Sequence, residues 1–205
     1  MLRETFFALA NSYSDNLLLI EELWHEIEQS YSGKNRHYHN LQHLSHLLTQ
    51  ITEVKEQFLQ WDVVLFSLYY HDIVYKTTKS DNEAKSAALA VKRMRDLGVL
   101  NEMIESCEKQ ILATKSHQLN DNSDTNLFTD ADLSILGVNW EDYVTYYQSV
   151  RKEYAVYPDF MYRPGRKKVL EHFLKMPKIY KTDYFFEKFE LQARQNMERE
   201  IGLLA

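Results

Sequence analysis

Apolar positions along this chain recur at intervals of three and four, the period of a helix with one buried face. Leu44, Leu47, Leu48, Ile51, Val54 and Phe58 follow it, as do Ala84, Ala87, Ala88, Val91 and Met94, and later Trp140, Tyr143, Val144, Tyr147 and Tyr154. Turn formers or polar runs interrupt the period at Ser32-Gly33-Lys34-Asn35, Lys76 to Ser80, Gly98, Ser116 to Thr125, Gly137 and Pro164-Gly165. Asn82, Asn139 and Asp183 are expected at helix starts, where a short polar side chain accepts from an orphaned backbone N–H. The polar stretch His117 to Asn126 reads as the longest loop, either mobile or lying over a site. The pattern predicts an all-α protein. With no internal repeat, linker or shift in composition, residues 1–205 read as one domain, a helical bundle with a C-terminal helical extension.

Composition narrows the class. A chain of 205 residues with 44% hydrophobic content, 13% aromatics, five Gly and three Pro can bury a substantial core and is unlike linker or low-complexity sequence. Thirty acids against 24 bases give a net charge of −6, so long nucleic acid is a poor partner. One cysteine, Cys107, excludes an intramolecular disulfide and a thiolate-rich zinc site, and suits a reducing cytoplasm. The apolar start around Phe6-Phe7-Ala8-Leu9-Ala10 is too short for a signal peptide. The longest apolar run, Val63 to Tyr70, falls far below the roughly 20 residues of a membrane-spanning helix. A soluble cytoplasmic protein is expected.

Candidate chemistry begins with the histidines. Four of the eight fall between His37 and His46, at an expected helix start. His71-Asp72 closes the apolar run Val63 to Tyr70, where an ionised carboxylate needs a partner. Either Asp72 simply holds His71 or a backbone donor, or both residues ligate a divalent cation. A third segment, Phe128 to Gly137, carries two acids in a helix-like stretch. Asp132 shares the face of Phe128, Ile135 and Leu136 and so points inward, whereas Asp130 points roughly the other way, as a cap or an outer acceptor. His43 flanks the stripe of Leu47, Ile51 and Val54, and His39 can share its face. Imidazoles and carboxylates together form a nitrogen–oxygen donor set suited to Mn, Fe, Ni, Co, Zn or Mg.

The ordered set His43, His71-Asp72 and Asp132 resembles the HD superfamily of metal-dependent phosphohydrolases. More closely, Arg36-His37-Tyr38-His39-Asn40-Leu41-Gln42-His43, His71-Asp72-Ile73-Val74-Tyr75 and Ser80-Asp81-Asn82-Glu83 with Ser86-Ala87 look like a bacterial branch of predicted HD phosphohydrolases. The match continues through Ala113-Thr114-Lys115-Ser116-His117, Asp130-Ala131-Asp132, Arg151-Lys152-Glu153-Tyr154 and Gly165-Arg166, covering roughly 33–180. The resemblance implies an HD-like helical bundle in which His43, His71, Asp72 and Asp132 hold one divalent metal ion. It also implies hydrolysis of a phosphoester by activated water, here expected on a nucleotide-like small molecule.

Other roles stay paired with plainer ones. Asp72 and Glu83 are candidates for orienting the attacking water, although Glu83 also suits a first-turn acid favoured by the helix dipole. Arg36, Lys115 and Arg166 are candidates for the phosphate, or surface cations. His117 is a candidate for a second ion, substrate or the leaving oxygen, or a polar loop residue. The aromatic segment Tyr180 to Phe189 serves its own core or a homodimer face. Two further classes compete with the hydrolase. One is a non-catalytic metal- or nucleotide-binding regulatory module, and the other a di-iron oxygenase drawing extra ligands from His39, Glu83, His117 and Asp130.

Overall fold

The computed structural model describes residues Met1–Leu204, and among them every regular element is helical. In chain order these are α1 (Leu2–Asn11), α2 (Leu17–Tyr31), α3 (Leu41–Glu53), α4 (Trp61–Tyr70), α5 (Asn82–Asp96), α6 (Asn101–Ala113), α7 (Ser123–Asp132), α8 (Trp140–Glu153), α9 (Asp159–Lys175) and α10 (Asp183–Leu203). A 3₁₀ turn, Leu133–Gly137, follows α7. No helix among the described residues is long and apolar enough to cross a membrane. The chain divides into two compact units, Met1–Thr129 and Asp130 onward.

The first unit is built around α4. Every residue from Val63 to Tyr70 is buried, and the helix packs against α1, α3, α5 and α6, which explains why its apolar run has no polar face. The stop of α5 follows from Gly98, whose φ of 80° supplies the left-handed residue of a Schellman turn. Gly98 N–H donates to Arg95 O and Val99 N–H to Met94 O, each at 3.0 Å. Cys107 faces this core from α6, fully buried, and burial pushes its thiol up from an ordinary 9.0 to about 12. Its protonated form is therefore favoured by folding, and this contribution fades as pH rises from about 9 through about 12. A thiol reagent at pH 8 should leave Cys107 unmodified until denaturant unfolds the chain; rapid labelling of the native protein would contradict the packing.

In the second unit, α10 lies along the 3₁₀ turn and α9. Gly137 permits the approach: a Cβ there would stand 2.5 Å from Phe189 Cβ and 2.7 Å from Phe189 O. Tyr180, Phe185 and Phe189 are buried in this unit's own core. Asn139 caps α8 as expected, accepting from Asp142 N–H at 3.0 Å. The expected break at Pro164-Gly165 does not occur, for α9 runs through both residues. Pro164 lacks the N–H that would bond Phe160 O, but Phe160, Pro164 and Gly165 all lie on the exposed side, where water can serve that carbonyl. The expected loop ends early too: α7 starts at Ser123, and Asp124, Thr125 and Asn126 are buried although polar. Asp124 earns its burial by accepting from the backbone N–H groups of Leu59 and Gln60 at 2.9 and 2.7 Å, which anchors the start of α7 to the start of α4.

Candidate metal centre

Local structure explains how the histidines are aimed. Asn40 caps α3, its Oδ1 accepting from Gln42 N–H at 2.8 Å and His43 N–H at 3.2 Å, which fixes His43 in the first helical turn. His71 stands immediately after α4, 1% exposed, with Nδ1 3.0 Å from Leu68 O. A carbonyl only accepts, so Nδ1 carries the proton and Nε2 of the neutral ring presents a lone pair. That Nε2 lies 3.1 Å from His43 Nε2. A proton from His43 or a cation shared by two lone pairs satisfies this contact equally well.

Carboxylates join the two rings. Asp72 Oδ2 lies 3.2 Å from His71 Nε2 and 3.9 Å from the Nε2 atoms of both His43 and His39. Phe128 of α7 meets the His71 ring edge-on at 5.8 Å between centroids. Asp132 follows one turn later on that unbroken helix, and one ligand atom each from His43, His71 and Asp132 lie within 4.8 Å of one another. Ligands about 2.1 Å from a shared ion stand about 3–4 Å apart, so a nitrogen–oxygen set gathered this closely could hold a divalent cation. His39 is a fifth donor at the rim, stacked on Tyr75 at 4.0 Å.

The turn bearing His71 and Asp72 is held by side chains that sequence reasoning assigned elsewhere or missed. Arg36, expected at a phosphate, donates instead to the carbonyls of Asp72, Ile73 and His39 at 2.7, 2.8 and 3.0 Å. Its guanidinium also faces the Tyr31 and Tyr75 rings at 5.0 and 5.3 Å. Arg36 is a positioning residue. Asn82, expected as a cap, lies inside α5 and turns back onto Lys76, accepting from its N–H and donating to its carbonyl. Ser86 Oγ does the same for Val74. The periodicity offered no signal for these roles beyond the Asn and Ser themselves.

The remaining candidates separate clearly. Glu83 is half-buried in the first turn of α5, beside Asn82. Lys115 is exposed and donates to Ser80 O at 2.9 Å. His117 is half-buried with a φ of 52°, in the left-handed region that non-glycine residues seldom enter. Arg166 belongs to the second unit, where it is buried against Glu200 through Nε–Oε1 at 2.8 Å and Nη2–Oε2 at 2.9 Å. Its third nitrogen reaches Tyr146 Oη at 3.4 Å, so this arginine is structural and its expected phosphate role falls away. Asp130 is fully buried, accepts from the N–H groups of Lys181 and Thr182, and pairs with Lys181 Nζ at 2.7 Å. It anchors the start of α10 as a capping acid and is not available as an extra metal ligand.

Comparison with protein-family models, curated proteins and solved structures gave no match. The functional reading therefore rests on this chain's own geometry.

Proposed function

We propose that this protein is a metal-dependent phosphohydrolase of the HD type, acting on a phosphoester of a nucleotide-like small molecule. The observation that carries the reading is the meeting of His43, His71 and Asp132, with Asp72 against His71, from three segments far apart in sequence. A divalent cation bound there supplies Lewis acidity and a water of lowered pKa. The chain does the rest. Leu68 O fixes the His71 tautomer, so that its lone pair faces the centre without reorganisation. Asp72, 17% exposed at its side chain, keeps its carboxylate within reach of solvent and is placed to accept a proton from an attacking water. Glu83 and His117 are the further candidates for handling protons, and Lys115 for meeting the phosphate. The chain works in the cytoplasm, as a monomer or homodimer.

The test is phosphate release from a panel of nucleotides and simple phosphoesters with added Mn, Co, Ni or Mg, beside Asp72→Ala. Release by the parent with at least one metal is expected, and a loss of at least about 100-fold in the variant, more than outer-shell changes produce. Turnover at the parental rate in Asp72→Ala would sink the assignment. No release with any metal, alongside tight ligand binding, would favour a regulatory module. Two irons per chain would favour an oxygenase, for which His39 is the best placed additional ligand.

A further inference from the structure

A pocket opens at the end of α4 away from His71, with a volume of about 550 Å³, within the roughly 300–1,000 Å³ of small-molecule sites. Val63 lies in its wall, about 12 Å of helical rise from His71. Val63, Leu112 and Ala113 give it apolar sides. Most polar groups around it are already engaged. Asp124 holds the backbone N–H groups that start α4, and Thr125 Oγ1 reaches Asn122 Oδ1 at 3.2 Å.

Gln110 is the exception. It lines the pocket at 2% exposure, on the α6 face otherwise made of Ile104, Cys107 and Ile111, and its Oε1 accepts no hydrogen bond. A buried amide oxygen without a donor destabilises the fold, and leucine or methionine would fill the same space without that cost. A carboxamide offers a donor beside an acceptor, the complement of an amide or nucleobase edge. We propose that this pocket binds a small planar molecule with such an edge, read by Gln110 while the apolar sides cover its faces. The site is separate from the histidine cluster and needs no metal.

The experiment titrates the full-length ¹⁵N-labelled chain, in EDTA, with uracil, cytosine and adenine. At least one is expected to shift the Gln110 side-chain NH₂ and the Leu112 and Thr125 amides saturably. Gln110→Leu should keep the fold, melt no lower than the parent, and bind that base at least about tenfold more weakly. Absence of saturable shifts with all three bases would overturn the proposal, as would shifts confined to residues outside the pocket or unchanged affinity in Gln110→Leu. Because the protein is free of metal, a failed phosphatase assay leaves this result untouched.

Discussion

Asp130→Ala is expected to cost about 3–5 kcal/mol of folding stability, whereas Asp132→Ala is expected to melt within about 1 kcal/mol of the parent and to lose phosphate release. The two acids are two residues apart on one helix and differ in what surrounds them. Asp130 is fully buried beneath Lys181, whose side chain is only 5% exposed, and also accepts from Thr182 Oγ1 at 2.7 Å. Truncating it strands a buried ammonium and two backbone donors. Asp132 is half-buried and directs its carboxylate to His43 and His71, so its removal opens the cluster while the core stays packed. Urea denaturation followed by circular dichroism, with metal content and phosphate release measured on the same samples, checks both halves. A parental midpoint for Asp130→Ala, or full activity for Asp132→Ala, would reverse the assignment of roles.

Glu200→Ala should be comparably damaging, at about 3–5 kcal/mol. Burial disfavours the Arg166 charge, yet the facing Tyr146 and Glu200 oxygens raise its pKa well above the ordinary arginine value, so the guanidinium stays charged. Glu200 meets it with both oxygens and also accepts from Tyr143 Oη at 2.5 Å. Without Glu200 the cation is left buried beside two phenols. The double variant Arg166→Met with Glu200→Leu removes both charges and should recover most of the loss, since apolar replacement of a buried pair is often neutral. Denaturation midpoints around this double-mutant cycle measure the coupling. The double variant should also retain phosphate release; its loss would return Arg166 to the substrate.

What could be read from the sequence divides along the range of the interactions involved. The stripe of Leu44, Leu47, Leu48 and Ile51 foretold α3 because a helical period is local, and it correctly set His43 against the core. The same spacing argument set Asp132 inward and Asp130 outward, and the burial is the reverse: Asp130 is fully buried against Lys181, a partner 51 residues away that local spacing does not show, while Asp132 is half-buried. The cations were not legible, because a lone Arg carries no mark of its partner: Glu200 lies 34 residues beyond Arg166, and the carbonyls of Asp72 and Ile73 lie 36 and 37 beyond Arg36. Asn82 misled for a related reason. Its side chain serves Lys76, six residues back, in place of the helix start it sits near. Pro164 and Gly165 looked like a stop because the sequence does not show that the carbonyl Pro164 leaves without a donor, Phe160 O, belongs to an exposed residue. Gln110 gave no signal at all, since a glutamine on an amphipathic helix is ordinary until its burial is known.

Arg36 carries one more consequence. Three main-chain oxygens tied to one guanidinium, with Asn82 and Ser86 gripping the next residues of the same turn, mean that His71 and Asp72 reach their places when the polypeptide folds. Small metal-nucleated domains work the other way, collapsing when the ion is withdrawn. Here the candidate ligands His71 and Asp72 are set by the polypeptide's own hydrogen bonds, so little disorder would remain for an arriving ion to remove. On the proposed reading, exchange of the ion at this centre is then expected to be a local event, with the helices standing unchanged.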